Sequence, residues 1–176
     1  MTTTLLKLSR SVALLSASVL FCCVSIFGAD PADIKERTVR LTDLQIQALS
    51  LALAPLHQQY DPNEKMLKRP FSSPGYHTTL KGGDVHPTRE SLHYAVALLD
   101  SGDEPLRLRA EEILRRVVAL QEKNVQKKTY GIWSWYLEEP LDKMSPPDWN
   151  WADFCGTQLL QVALDHRSRL PADLMS

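Results

Sequence analysis

Cysteine is scarce in this 176-residue chain, and two of the three, Cys22 and Cys23, fall in an apolar N-terminal run. Only Cys155 remains elsewhere, which excludes an internal disulfide framework. A single thiol of this kind reads as a small buried hydrophobe rather than a nucleophile. Glycine is equally sparse, and Gly82 and Gly83 neither open a helix directly nor precede the Gly-Lys-Ser/Thr turn of a phosphate loop. His77, His86 and His93 show no metal-ligand or Cys/His spacing and read as isolated side chains, so no metal and no cofactor is expected. An excess of positive charge is also lacking. The formal net charge is −1, which argues against a nucleic-acid partner.

Charge is absent altogether from Ser11 to Phe27, after Lys7 and Arg10 and before a few small residues. That outline is a secretory signal peptide over residues 1–29, which implies a secreted or periplasmic protein. The alternative is an uncleaved N-terminal membrane anchor, since the run approaches the roughly 18 residues that span a bilayer. Removing Lys7 and Arg10 leaves 18 basic residues against 21 acidic ones, a formal −3.

Residues 30–40 have no sustained period and read as a linker before a domain over 41–176. Thr42 and Gln45 have capping-box spacing, and Ile46, Leu49, Leu53, Leu56 and Tyr60 trace one face of a helix that Pro55 should kink or stop. Asp61 to Asp84, with six prolines and glycines, reads as a long irregular connection. A second helix is expected from Thr88 to Asp100, and Asp103 and Pro105 open a third that runs to about Asn124. The short joint between them makes an antiparallel αα-hairpin. A fourth helix is expected from Trp151 to His166, capped by Asn150 or Asp153. Tyr130 to Leu137 alternates enough for an extended piece but has no evident partner. The expected class is therefore all-α, built from antiparallel helical hairpins. An exposed apolar face on the unmatched fourth helix would favour self-association.

Aromatics make up only 7% of the chain, yet all four tryptophans lie between Tyr130 and Thr157. Trp133 and Trp135 are two apart, so in an extended segment both project to one face and form a stacking platform. Trp149 and Trp151 straddle a helix start and should diverge. Rings mixed with carboxylates and amides suit a sugar, whose C–H faces stack while its hydroxyls take hydrogen bonds; core packing is the competing role for each ring. Glu138 and Glu139 are neighbours, so an extended chain turns one toward a cleft and the other away.

The order of these features, LLDSGDE between helices and then YGIWSWYLEEPLDKMSPPDWNWADFCGTQLLQVAL, resembles the first hairpins of secreted bacterial (α/α)-toroid proteins. Those include six-hairpin glycosidases and alginate-lyase or heparinase-like polysaccharide lyases. The resemblance spans roughly residues 86–170 and implies an incomplete toroid, the N-terminal part of a polysaccharide-degrading protein. It also implies lyase or glycoside hydrolase activity in a full-length protein and none in this part alone, with a polysaccharide or oligosaccharide as partner. Trp133, Trp135, Tyr136, Glu138, Trp149, Asn150 and Trp151 are then the expected sugar contacts, with no catalytic residue assigned. The competing expectation is a noncatalytic helical binding or scaffold module of the cell envelope.

Overall fold

The computed structural model describes residues 36–37 and 40–175, all within one compact unit. The expected signal peptide and most of the expected linker lie outside the described residues. The first helix, α1 (Asp43–Gln59), opens on the expected capping box: Gln45 N–H donates to Thr42 Oγ1 at 3.3 Å and Thr42 N–H to Gln45 Oε1 at 2.9 Å. It runs through Pro55 rather than stopping there. Of its expected inner face only Leu53 is fully buried; Leu49, Leu56 and Tyr60 pack at the edge of the core, and Ile46 is exposed.

The chain then departs from the all-α expectation. Four short strands, β1 (Tyr60–Asp61), β2 (Met66–Leu67), β3 (Arg69–Ser72) and β4 (Gly82–Val85), pair as two antiparallel ribbons, β1 with β2 and β3 with β4. Among the described residues the fold is mixed α/β, four helices with two small sheets, and not the expected all-α set of helical hairpins or incomplete toroid. These strands escape the sequence pattern for a physical reason. β1 and β2 are too short to show alternation, and β3–β4 pairs Pro70 with Asp84 and Phe71 with Gly83. Proline and glycine are tolerated there because a two-stranded ribbon is all edge.

Helix α2 (Thr88–Asp100) is the centre of the molecule. Thr88, Ser91, Leu92, Tyr94, Ala95, Val96, Leu98 and Leu99 are all buried, leaving His93 as its exposed side chain. Gly102, at φ +74°, supplies the left-handed residue that ends it. Asp103 then caps α3 (Glu104–Val118), its carboxylate accepting from Leu106 N–H at 2.9 Å, with Pro105 in the first turn. The three-residue joint folds α3 back on α2 with Ala110, Ile113, Leu114 and Val117 inward. The helix stops at Val118, short of Asn124.

Residues 119–149 are mostly turns, but one stretch is extended, and it has a partner. Thr88 N–H donates to the Trp135 carbonyl and Leu137 N–H to the His86 carbonyl, both at 3.0 Å, and Pro87 bridges antiparallel to Tyr136. The extended piece therefore lies along the entrance to α2. Helix α4 (Asn150–Asp165) packs on α2 through Trp151, Cys155 and Val162. His166 and Asp100 join its end to that of α2 at 2.8 Å. No described helix is long and apolar enough to cross a membrane.

Candidate functional site

The pairing of residues 135–137 with 86–88 decides where the tryptophans go. Trp133 is 3% exposed, its indole N–H donating to the Val117 carbonyl at the end of α3 at 2.8 Å. Trp135 turns instead toward Asp148, which accepts its indole N–H at 3.1 Å. The two side chains thus have separate destinations inside the protein, and no flat exposed platform forms from them. Tyr136 is buried with its ring 4.9 Å from Phe71, edge-on. Trp151 is buried as well, donating to Thr88 Oγ1 at 2.8 Å.

Thr88 is the residue that ties these parts together. Its hydroxyl donates to the Ser134 carbonyl at 2.7 Å while accepting from Trp151, and its backbone N–H holds Trp135. Asp148 does similar work from the other side. One of its oxygens takes the Trp135 indole; the other takes the Asn150 backbone N–H at 3.1 Å and the Asn150 amide at 3.0 Å. The expected caps Asn150 and Asp153 are thus replaced by the buried Asp148, two residues ahead of the helix, and Asn150 becomes its exposed partner.

Around this interior the aromatic rings continue to the surface. Tyr76, on the β3–β4 loop, stands edge-on to Trp135 at 5.9 Å. Trp135 packs on Trp151 at 5.1 Å, and Phe154 stands edge-on to Trp151 at 5.5 Å. The ends of this run are open: Tyr76 is 61% and Phe154 40% exposed, and Trp149, outside the run, is 53% exposed. His77 fixes the Tyr76 end, with its ring 2.7 Å from the Pro146 carbonyl and 5.3 Å from Trp135. Trp149 is pinned by donation to the Lys128 carbonyl at 3.3 Å. At the Phe154 end the Arg89 guanidinium lies 4.5 Å from that ring and 6.0 Å from Trp151.

A model of a family described as a domain of unknown function (DUF8769) matches residues 47–176. The chain belongs to that family. No curated protein and no solved structure matches it. The DUF8769 segment begins inside α1, so both ends of the ring run and both anchors, Thr88 and Asp148, lie within it.

Glu138, the one acidic residue among the expected contacts, has a partner within the DUF8769 segment. His86 donates its backbone N–H to Glu138 Oε2 at 3.0 Å, and its Nδ1 lies 2.5 Å from Oε1. The other ring nitrogen faces Asp61 Oδ2 at 3.3 Å. A neutral imidazole has one N–H and can donate to only one of the two carboxylates. The arrangement is a clasp between β1, the entrance to α2 and the loop after Tyr136, so Glu138 is not free to meet a ligand with both oxygens. A cleft of about 380 Å³ opens beside Asp61, lined among others by Tyr60, Lys68, Arg69 and Asp84. Glu139 sits in the turn closed by its own N–H on the Tyr136 carbonyl at 3.3 Å and has a separate partner, its Oε1 accepting from the Thr79 N–H and hydroxyl at 2.6 Å each.

Nucleophilic chemistry has no foothold at Cys155. Burial pushes its thiol up to about 12, far from the thiolate that attack requires. Among the described residues no group of three His, Cys, Asp or Glu side chains is placed to hold a metal. Pattern reading does not single out Tyr76, Phe154 or Arg89, and it gives Thr88 only as a helix start. Phe154 was within reach of it, since it follows Trp151 by three positions on a helix and so shares its face.

Proposed function

We propose that this DUF8769 protein is carbohydrate-associated and contacts sugar through the exposed ends of its aromatic run, Tyr76 and Phe154, with the exposed Trp149 as a further candidate contact. The observation that carries the reading is the continuity of the run. Exposed rings at its ends are backed by buried Trp135 and Trp151, whose indole N–H groups are both hydrogen-bonded inside the protein. Rings held this way lose little freedom when a ligand stacks on them, which is how preorganised sites gain affinity. An aromatic body with a polar edge also meets a sugar on both its C–H face and its hydroxyl rim.

The reading is noncatalytic. Glu138 is clasped by His86 and Glu139 by Thr79, and general acid/base cleavage of a glycosidic bond needs two carboxyl groups facing one bond. Export, to the cell exterior or periplasm, rests on the leader-like sequence of residues 1–29. The test is a titration of the 176-residue chain with neutral and acidic oligosaccharides while tryptophan emission is followed. Trp149 is half-exposed, and Trp135 and Trp151 touch the exposed rings, so a bound sugar is expected to shift the emission. A panel without any response counts against the proposal.

A further inference from the structure

Arg89 differs from the arginines around it. Arg69 is paired with Glu90, Arg107 with Glu104, Arg115 with Asp173 and Arg116 with Glu64, while Arg109 donates to the Tyr94 hydroxyl. The Arg89 guanidinium instead rests on the Phe154 and Trp151 rings, and among the described residues it has no ion pair and no hydrogen bond. Its immediate neighbour Glu90 is directed to Arg69 at 3.1 Å, and Glu138 and Glu139 are held by His86 and Thr79. On the next turn of α2, His93, though its edge is exposed, is held below its usual range by partial desolvation of the ring and then by the Arg89 charge, so it adds no competing cation at neutral pH. A half-buried cation that is stacked and, among the described residues, unpaired has N–H donors to offer a ligand.

The geometry points to Arg89 as the anion-recognition residue of the aromatic rim, selecting a sugar that carries a carboxylate or sulfate group. This rests on the sugar-contact reading above and narrows it to acidic ligands. The physical basis is the planar fork of the guanidinium, which matches two oxygens of a carboxylate or sulfate at once. Contact with Phe154 at 4.5 Å positions the guanidinium before the ligand arrives, and it leaves Arg89 beside a ring that meets the sugar face. Lysine, a point charge on a flexible stem, cannot reproduce either feature.

A matched pair of ligands isolates the charge: a galacturonate hexamer and its fully methyl-esterified form, which keep the same rings and the same hydroxyls. Calorimetric titration of the 176-residue chain is expected to show the acid bound about tenfold more tightly than the ester, as suits a charge-assisted bidentate contact. Arg89→Gln is expected to bring the acid down to the level of the ester without changing the ester, and Arg89→Lys to fall between. Equal affinity for acid and ester, or an equal loss of both in Arg89→Gln, overturns the inference while leaving the sugar-contact reading in place. Binding of neither, nor of the sulfated arm below, nor of any oligosaccharide in the panel above, overturns both. A sulfated neutral oligosaccharide forms the third arm: binding that Arg89→Gln abolishes supports sulfate as the anion, and binding that the variant leaves untouched counts against Arg89. Thermal melts of both variants should match the parent, because the side chain makes no hydrogen bond that the fold needs.

Discussion

Trp133 and Phe154 are both large aromatics from one 28-residue stretch, and the structure gives them opposite work. Trp133 is closed inside the helix pair, with its N–H on a backbone carbonyl of α3; Phe154 is 40% exposed on α4, with an arginine on its face. Between them Trp135 and Trp151 form a buried seam. The contrast teaches that the concentration of tryptophans marks a packing device first, and that the surface available to a ligand lies where the seam reaches solvent. Interior rings should therefore govern stability, and rim rings should govern binding.

The sharpest break in that comparison is Trp133→Ala. Truncating a buried tryptophan typically costs about 3–5 kcal/mol, and here it also removes the indole donor from the Val117 carbonyl, which keeps the Leu120 N–H at 3.0 Å. Denaturant unfolding should show a loss of that size, and a loss below about 1 kcal/mol would place Trp133 with the rim. Next in size is Thr88→Val, which keeps the shape and removes the hydroxyl that serves both Trp151 and Ser134. An unsatisfied indole N–H and carbonyl cost about 1–3 kcal/mol, again read from unfolding curves.

How much of this could be read in the chain is uneven. The start of α2 at Thr88, the cap at Asp103 and the Thr42–Gln45 box were legible because each is set by residues within one turn of one another. The two ribbons were not, since Pro70, Gly82 and Gly83 carry the composition of a loop and the pairing partners lie 5 to 16 residues away. The same holds for the site. That Trp133 would reach Val117, Trp135 Asp148 and Trp151 Thr88 depends on contacts 16, 13 and 63 residues apart in sequence. The i, i+2 spacing of Trp133 and Trp135 suggested one shared face, but the chain bends at Trp135 and pairs through a single bridge at Tyr136, so the two rings go to different partners. Asp148 shows the same limit in miniature, because its capping work depends on burial that the Pro-Pro-Asp sequence does not announce.

The most direct measurement combines both halves of the comparison in the double variant Tyr76→Ala/Phe154→Ala. Both side chains are exposed, so its unfolding free energy should stay within about 1 kcal/mol of the parent. Its affinity for the oligosaccharide the parent binds should fall at least about tenfold, the loss of roughly 1.4 kcal/mol expected when stacking contacts go. A double variant that binds as well as the parent, or one that loses binding only because it unfolds, would contradict the account.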